Sequence, residues 1–219
     1  MYADLTESEN AIIEKSLQFT MTGKDRLISL IRAIDYLVDA KISGDMIECG
    51  VWKGGSMMAV AYELLKHNDI RDLYLYDTFE GMTVPGDEDV SVDKISAGTL
   101  YEAKPDWCKA TMEEVERNLA NTQYPMSKIH LVRGKVEDTV PGNRHERIAL
   151  LRLDTDWYNS TRVELEHLYD KIERGGVLII DDYGHWAGAR KATDEFFENR
   201  KIKMLLHRVD YTCRIGVKL

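Results

Sequence analysis

The chain has 219 residues, 44% hydrophobic and 31% charged, with 29 Lys and Arg against 38 Asp and Glu and a formal net charge of −9. These proportions describe a single globular domain spanning 1–219 with one sizeable core, and exclude disordered and fibrous classes. An acidic surplus with no basic run excludes a protein held on nucleic acid by bulk attraction, and no apolar stretch approaches the ~20 residues of a membrane helix.

Residues 1–45 read as two amphipathic helices. The second begins around Asp25 and carries an apolar stripe at 27, 30, 31, 34, 37 and 38, with Gly44 expected to end it. Short, nearly continuous apolar runs follow at 46–51, 72–77, 128–134, 148–154 and 176–182. Such runs suit strands buried on both faces of a parallel sheet. Helical stretches at about 55–67, 106–121, 158–173 and 187–199 separate them, so the class is α/β with crossover helices. Two last strand-like runs, 203–209 and 212–218, leave no room for a helix and form an antiparallel pair. Segment 83–105 has no sustained period and holds Pro85, Gly86, Gly98 and Pro105; its length suits either a lid or a plain surface loop. The N-terminus shows no basic stretch followed by an apolar one. Three scattered cysteines (Cys49, Cys108 and Cys213) make no disulfide frame, so a reducing, cytoplasmic setting is expected.

Chemistry concentrates at the strand ends. The first strand runs into Glu48-Cys49-Gly50-Val51-Trp52-Lys53-Gly54-Gly55-Ser56, a glycine-rich turn opening a helix. Its spacing is neither a dinucleotide fingerprint nor a P-loop, and Glu48 favours a positively charged ligand over a pyrophosphate. The second strand ends at Asp77-Thr78-Phe79, where a carboxylate can accept both hydroxyls of a ribose; the third ends at Gly134-Lys135-Val136, a place for an adenine against backbone and Val136. Three such turns at successive strand ends indicate a nucleoside ligand.

The fourth strand ends in Asp154-Thr155-Asp156 and the fifth in Asp181-Asp182, followed by Tyr183, His185 and Trp186. Like charges this close repel unless a cation lies among them, and an oxygen-only set favours Mg²⁺, or Mn²⁺ or Ca²⁺. Helix capping by Asp156 or Asp182 is the competing explanation.

The motifs ECGVWKGGS, YDTFEGM, LDTDWYNST and GGVLIIDDY, in that order over residues 20–219, resemble the macrocin, mycinamicin and novobiocin type of sugar O-methyltransferases. The resemblance implies a class I S-adenosylmethionine (SAM) methyltransferase fold. That fold is a Rossmann-like sheet of seven strands, mostly parallel with the C-terminal strand antiparallel, with helices on both faces and an N-terminal helical extension. It also implies Mg²⁺ dependence and a homodimer. It places Glu48, Gly50 and Ser56 around the methionine part of SAM, Asp77 on its ribose and Val136 beside adenine; Val51, Thr78, Phe79, Gly134 and Asp154 are expected among the further cofactor-binding residues. Asp154, Asp181 and Asp182 become metal ligands, and Tyr183, His185 and Trp186 face the acceptor.

The 27-residue separation of Asp154 and Asp181 also resembles catechol-type methyltransferases, which place a lysine soon after the first aspartate. Here no lysine follows, so a carboxylate takes the proton, Asp154 first and Asp156 in reserve. The expected reaction is methyl transfer from SAM to a hydroxyl of a sugar or glycosylated small molecule. A phenolic acceptor, or a SAM-binding protein without turnover, is the alternative.

Overall fold

The computed structural model describes residues 3–104 and 106–219; Pro105 therefore lies outside the described residues. Helix α1 (Glu7–Leu17) starts at a capping box, with Thr6 Oγ1 accepting from the Glu9 amide and the Glu9 carboxylate accepting from the Thr6 amide. Helix α2 (Lys24–Asp39) buries Leu27, Leu30, Ile31, Ile34 and Leu37, the expected stripe. It ends earlier than expected. Lys41 takes the left-handed conformation (φ 57°) and the Ile42 amide returns to the Leu37 carbonyl. Gly44 serves the sheet instead, since a Cβ there would lie 2.7 Å from the Ala149 nitrogen.

Seven strands follow: β1 (Asp45–Cys49), β2 (Leu73–Asp77), β3 (Ile129–Arg133), β4 (Ile148–Leu153), β5 (Ile172–Ile180), β6 (His207–Arg208) and β7 (Arg214–Val217). They form one sheet in the order β3-β2-β1-β4-β5-β7-β6. The first five are parallel, and β7 is antiparallel to both β5 and β6. The crossovers carry α3 (Gly55–Lys66), α4 (Ala97–Ala103), α5 (Met112–Ala120), α6 (Val136–Thr139), α7 (Tyr158–Leu168) and α8 (Ala187–Asn199). The fold is the expected one. Some boundaries differ: β5 begins at Ile172, because the last turn of α7 tightens into a 3₁₀ turn at Tyr169–Lys171. The outer hairpin strand β6 keeps two residues, with Met204 and Leu206 packing into the core instead of extending it.

Strand alternation sorts side chains between two cores. Met46, Leu150, Val177 and Ile179 join the core under α1, α2, α3 and α5, while Ile47, Leu151, Leu178 and Ile180 join the core under α7 and α8. Segment 83–104 is ordered and lies down on the molecule. Val90 bridges Ser96, Ser91 bridges Trp186, and α4 completes it. A third, small cluster of Trp157, Trp186, Ala97 and Ala189 sits beneath it.

Candidate active site

All the strand ends named above converge on one edge of the sheet, where open α/β folds hold ligands. The glycines of the β1–α3 turn are packed closely against other parts of the chain. Gly50 has φ 81°, and a Cβ on it would stand 2.0 Å from the Asp154 carbonyl oxygen. The bare Cα lets the tips of β1 and β4 close on each other, with the Asp154 amide donating to the Cys49 carbonyl at 2.8 Å. Gly55 likewise lies against Phe19, where a Cβ would come within 2.6 Å of the backbone. These glycines answer protein neighbours before any ligand. Asp77 braces the same turn: Oδ2 accepts from the Val51 and Trp52 amides at 2.7 and 3.2 Å, and Oδ1 from the Phe79 amide at 2.8 Å.

Asp154, Asp181 and Asp182 each bring a carboxylate oxygen within 4.8 Å of the others. The chain itself brings cations among them. Arg152, fully buried on β4, donates from Nη1 to Glu48 Oε1 and to Asp154 Oδ2 (2.6 Å), and from Nη2 to Thr22 Oγ1 (2.8 Å) and Asp181 Oδ1 (2.7 Å). Arg26 of α2 pairs with Asp181 Oδ2 and, at 3.1 Å, with Asp210. Sequence reasoning missed Arg152, Arg26 and Thr22. A signal for Arg152 was present: one charge in a buried run, IALLRL, two residues from Asp154 and therefore on its face of the strand.

Two arginines do not balance this site. Burial, reinforced by the charges of Asp154 and Asp181, pushes Glu48 up to about 8. Burial and neighbouring carboxylates also raise Asp154 to about 6 and Asp156 to about 7, and hold Asp182 well above the usual carboxylate range. Asp182 Oδ2 is buried with no partner. Acceptor-only oxygens, a surplus of negative charge and an orphaned buried oxygen suit a hard divalent cation. Helix capping is not what the acids do. Neither α7 nor α8 has a side-chain cap from its own N-cap residue, and the Tyr158 amide at the start of α7 donates to Asp89 of the 83–104 segment (2.8 Å).

A cleft of about 370 Å³ runs over these groups and is lined by Gly50, Val51, Ser56, Asp77, Asp154, Asp156, Asp181, Asp182, His185 and Trp186 among the expected residues. A smaller adjoining recess of about 60 Å³ takes in Thr78, Gly134 and Val136, and shares Gly50, Asp77 and Asp154. Three expected residues stay outside both. Glu48 lies behind the cleft on Arg152, and Phe79 packs into the core. Tyr183 turns outward, its hydroxyl donating to Asp194 (2.7 Å) and its ring under Arg214. The sequence did not single out Cys108 or Met82 for the cleft, which they line.

A model of the family described as Macrocin-O-methyltransferase (TylF) matches residues 5–216. Among similar proteins, the demethyldecarbamoylnovobiocin O-methyltransferase of Streptomyces niveus is 30% identical over 81% of this chain and 67% of its own length. The mycinamicin III 3''-O-methyltransferase of Micromonospora griseorubida is 31% identical over 87% and 75%. A tetracenomycin-C 4'-O-methyltransferase of Streptomyces olivaceus that acts on a dimethoxyrhamnosyl derivative is 34% identical over 77% and 64%. The solved O-methyltransferase NovP superposes with a TM-score of 0.82 at 27% identity, covering 91% of this chain and 82% of that one. Glycine turn, acid cluster, sheet order and these likenesses agree: the chain belongs to the macrocin O-methyltransferase (TylF) family and is a SAM-dependent O-methyltransferase.

Proposed function

We propose that this enzyme methylates a hydroxyl of a sugar carried on a small-molecule natural product, with Mg²⁺ held by Asp154, Asp181 and Asp182. The observation that carries the reading is one cleft with the glycine turn on one wall and the acid cluster on the other. The names of the relatives, all glycoside-tailoring or antibiotic O-methyltransferases, support the acceptor class. SAM supplies an electrophilic methyl on sulfonium. Held by these three aspartates, Mg²⁺ would supply Lewis acidity toward a vicinal pair of sugar hydroxyls.

The chain's own residues do the rest. Gly50, Val51 and Ser56 form the wall for the methionine part of SAM, and the recess at Thr78, Gly134 and Val136 takes the adenine end. Asp156 accepts the proton from the attacking hydroxyl. What supports Asp156 over Asp154 is commitment: Asp154 Oδ2 is held by Arg152, whereas Asp156 faces the cleft without an arginine and is pushed by burial up to about 7. Its backbone is in the left-handed region (φ 67°), which turns the residue out of the line of the strand. The 83–104 segment excludes water, pinned by Trp157 Nε1 donating to the Thr83 carbonyl at 3.1 Å.

The test is S-adenosylhomocysteine release with a neutral glycoside, with and without EDTA, against a catechol. Glycoside turnover abolished by EDTA, and a loss of kcat of at least a hundredfold in Asp156→Asn with SAM affinity kept, is the expected result. Preference for the catechol overturns the acceptor. Activity indifferent to EDTA overturns the metal, and SAM binding without turnover on any acceptor overturns catalysis.

A further inference from the structure

We propose that Thr22, Arg26 and Arg152 form a positioning unit through which the α1–α2 connection, residues 18–23, and the first turn of α2 hold the carboxylates of Asp154 and Asp181 in place. The inference rests on the methyl-transfer reading above. None of the three acts on reacting atoms; they act through Asp154 and Asp181.

The argument starts from Arg152. A guanidinium is planar, always charged and costly to bury unless each face of its fork is engaged. Arg152 reaches four segments at once: Glu48 on β1, Asp154 at the tip of β4, Asp181 after β5, and Thr22 in the connection between the N-terminal helices. Three of these partners are carboxyls fixed to the sheet. Among these four partners, Thr22 comes from a connection outside the sheet, and its side chain contributes a hydroxyl where the others contribute carboxyls. Because the fork is rigid, displacing Thr22 tilts the plane that aims Nη1 at Asp154.

The first turn of α2, directly after this connection, delivers a second hold. Arg26, in the first turn of α2, takes the other oxygen of Asp181 and reaches Asp210 in the β6–β7 turn at 3.1 Å. Asp210 in turn accepts from the Thr212 and Cys213 amides at 2.9 and 2.7 Å, and Thr212 Oγ1 donates to the Asp181 carbonyl at 2.7 Å. Asp181 is thus fastened from β4, from α2 and from the hairpin. The connection itself is anchored by the Gly55 amide donating to the Phe19 carbonyl (2.9 Å) and the Thr22 amide donating to Thr20 Oγ1 (3.1 Å). Thr20, Met21, Thr22 and Arg26 also line the cleft, and Met21 is 60% exposed. A molecule seated in the cleft therefore presses on the very segment that orients Arg152. Contact with the acceptor and placement of the carboxylates share one loop.

The experiment compares Thr22→Val, Thr22→Ser and Arg152→Lys with the wild type. Thr22→Val keeps shape and removes the hydroxyl; it is expected to lower kcat about tenfold with SAM affinity and melting temperature little changed, and Thr22→Ser to restore kcat to within about twofold. Arg152→Lys keeps the charge but loses the fork, and is expected to lower kcat further. A readout independent of turnover is the set of slowly exchanging arginine Nη–H signals in ¹⁵N NMR, expected for Arg152 in the wild type and in Thr22→Ser and broadened in Thr22→Val. Wild-type kcat and unchanged arginine signals in Thr22→Val overturn the unit, as does a loss that Thr22→Ser fails to restore. If the wild type turns over no glycoside, the methyl-transfer reading fails while the NMR comparison still decides whether Thr22 holds Arg152.

Discussion

Gly50 illustrates how a single side chain's absence shapes the site. With φ 81° and the Asp154 carbonyl 2.0 Å from where a Cβ would be, Gly50→Ala combines backbone strain with overlap against main chain that has no room to move. It is expected to cost about 3 kcal/mol, read as a lower urea midpoint, and to weaken SAM binding because the β1–α3 turn shifts. Glu164 makes a different kind of prediction. It is wholly buried on α7, with Oε1 accepting from Thr155 Oγ1 at 2.9 Å and Oε2 without a partner. Burial, with Glu137 and Asp154 adding to it, pushes its carboxyl from 4.5 up to about 8. The folded state therefore keeps a proton that the unfolded state has released between those values. Its contribution to stability is fully present below about pH 4.5 and lost as pH rises through about 8. Melting temperatures between pH 6 and pH 9 should fall more in the wild type than in Glu164→Gln; equal falls would place the proton elsewhere.

At the scale of elements, segment 83–104 shows how a stretch without period becomes ordered. Its grip is Asp89, almost wholly buried, whose carboxylate accepts from the Gly86 amide (2.7 Å) and from the Tyr158 amide (2.8 Å) that α7 leaves open at its N-terminus. Gly188 on α8 makes room for it, since a Cβ there would overlap Asp89 Oδ1 at 1.9 Å. The Ala187 amide donating to the Val90 carbonyl at 2.9 Å ties the segment to α8 as well. One acid thus closes the segment over two helix starts. Asp89→Ala should leave the sheet intact, cost about 1–3 kcal/mol, and open residues 83–96 to limited proteolysis. Unchanged proteolysis would mean that the aromatic cluster of Trp157 and Trp186 holds the segment without it.

For the whole molecule, the sign of the cleft matters more than the net charge of −9. Among the described residues lining it are Asp77, Asp154, Asp156, Asp181 and Asp182 against Arg26, which is already paired with Asp181 and Asp210. The described side chains lining the cleft offer a diphosphate no unpaired cation. A sugar presented as a nucleoside diphosphate is expected to show kcat/KM at least about tenfold below the same sugar in a neutral glycoside, with part of the gap closing as salt rises. A nucleotide sugar preferred over the glycoside would contradict this account of the cleft.

Much of this was legible in the linear chain because it depends on local rules. Runs such as IALLRL at 148–153 have the composition of a strand buried on both faces, and the alternation of those runs with helices leaves few topologies. Asp154, Asp181 and Asp182 could be placed at one edge because parallel strands end together. The ends of weakly supported elements were not legible: β6 shrinks to two residues since it pairs on one side only, and α2 stops at Asp39 through a lysine in the left-handed conformation. Nor was the outward turn of Tyr183 toward Asp194, a choice between two acceptable surroundings.

Sequence alone thus determined the sheet, its order of reading and the acids at its edge, for periodicity and strand direction are properties of neighbouring residues. Only the tertiary structure decided what neutralises those acids. Thr22, Arg26, Glu48, Arg152 and Asp181 are scattered between positions 22 and 181, and the bonds of Thr22 and Arg26 to the others exist only after the N-terminal helices have packed onto the sheet. Charge balance in a buried site is a matter of ångströms in space, and spacing along the chain carries no measure of it.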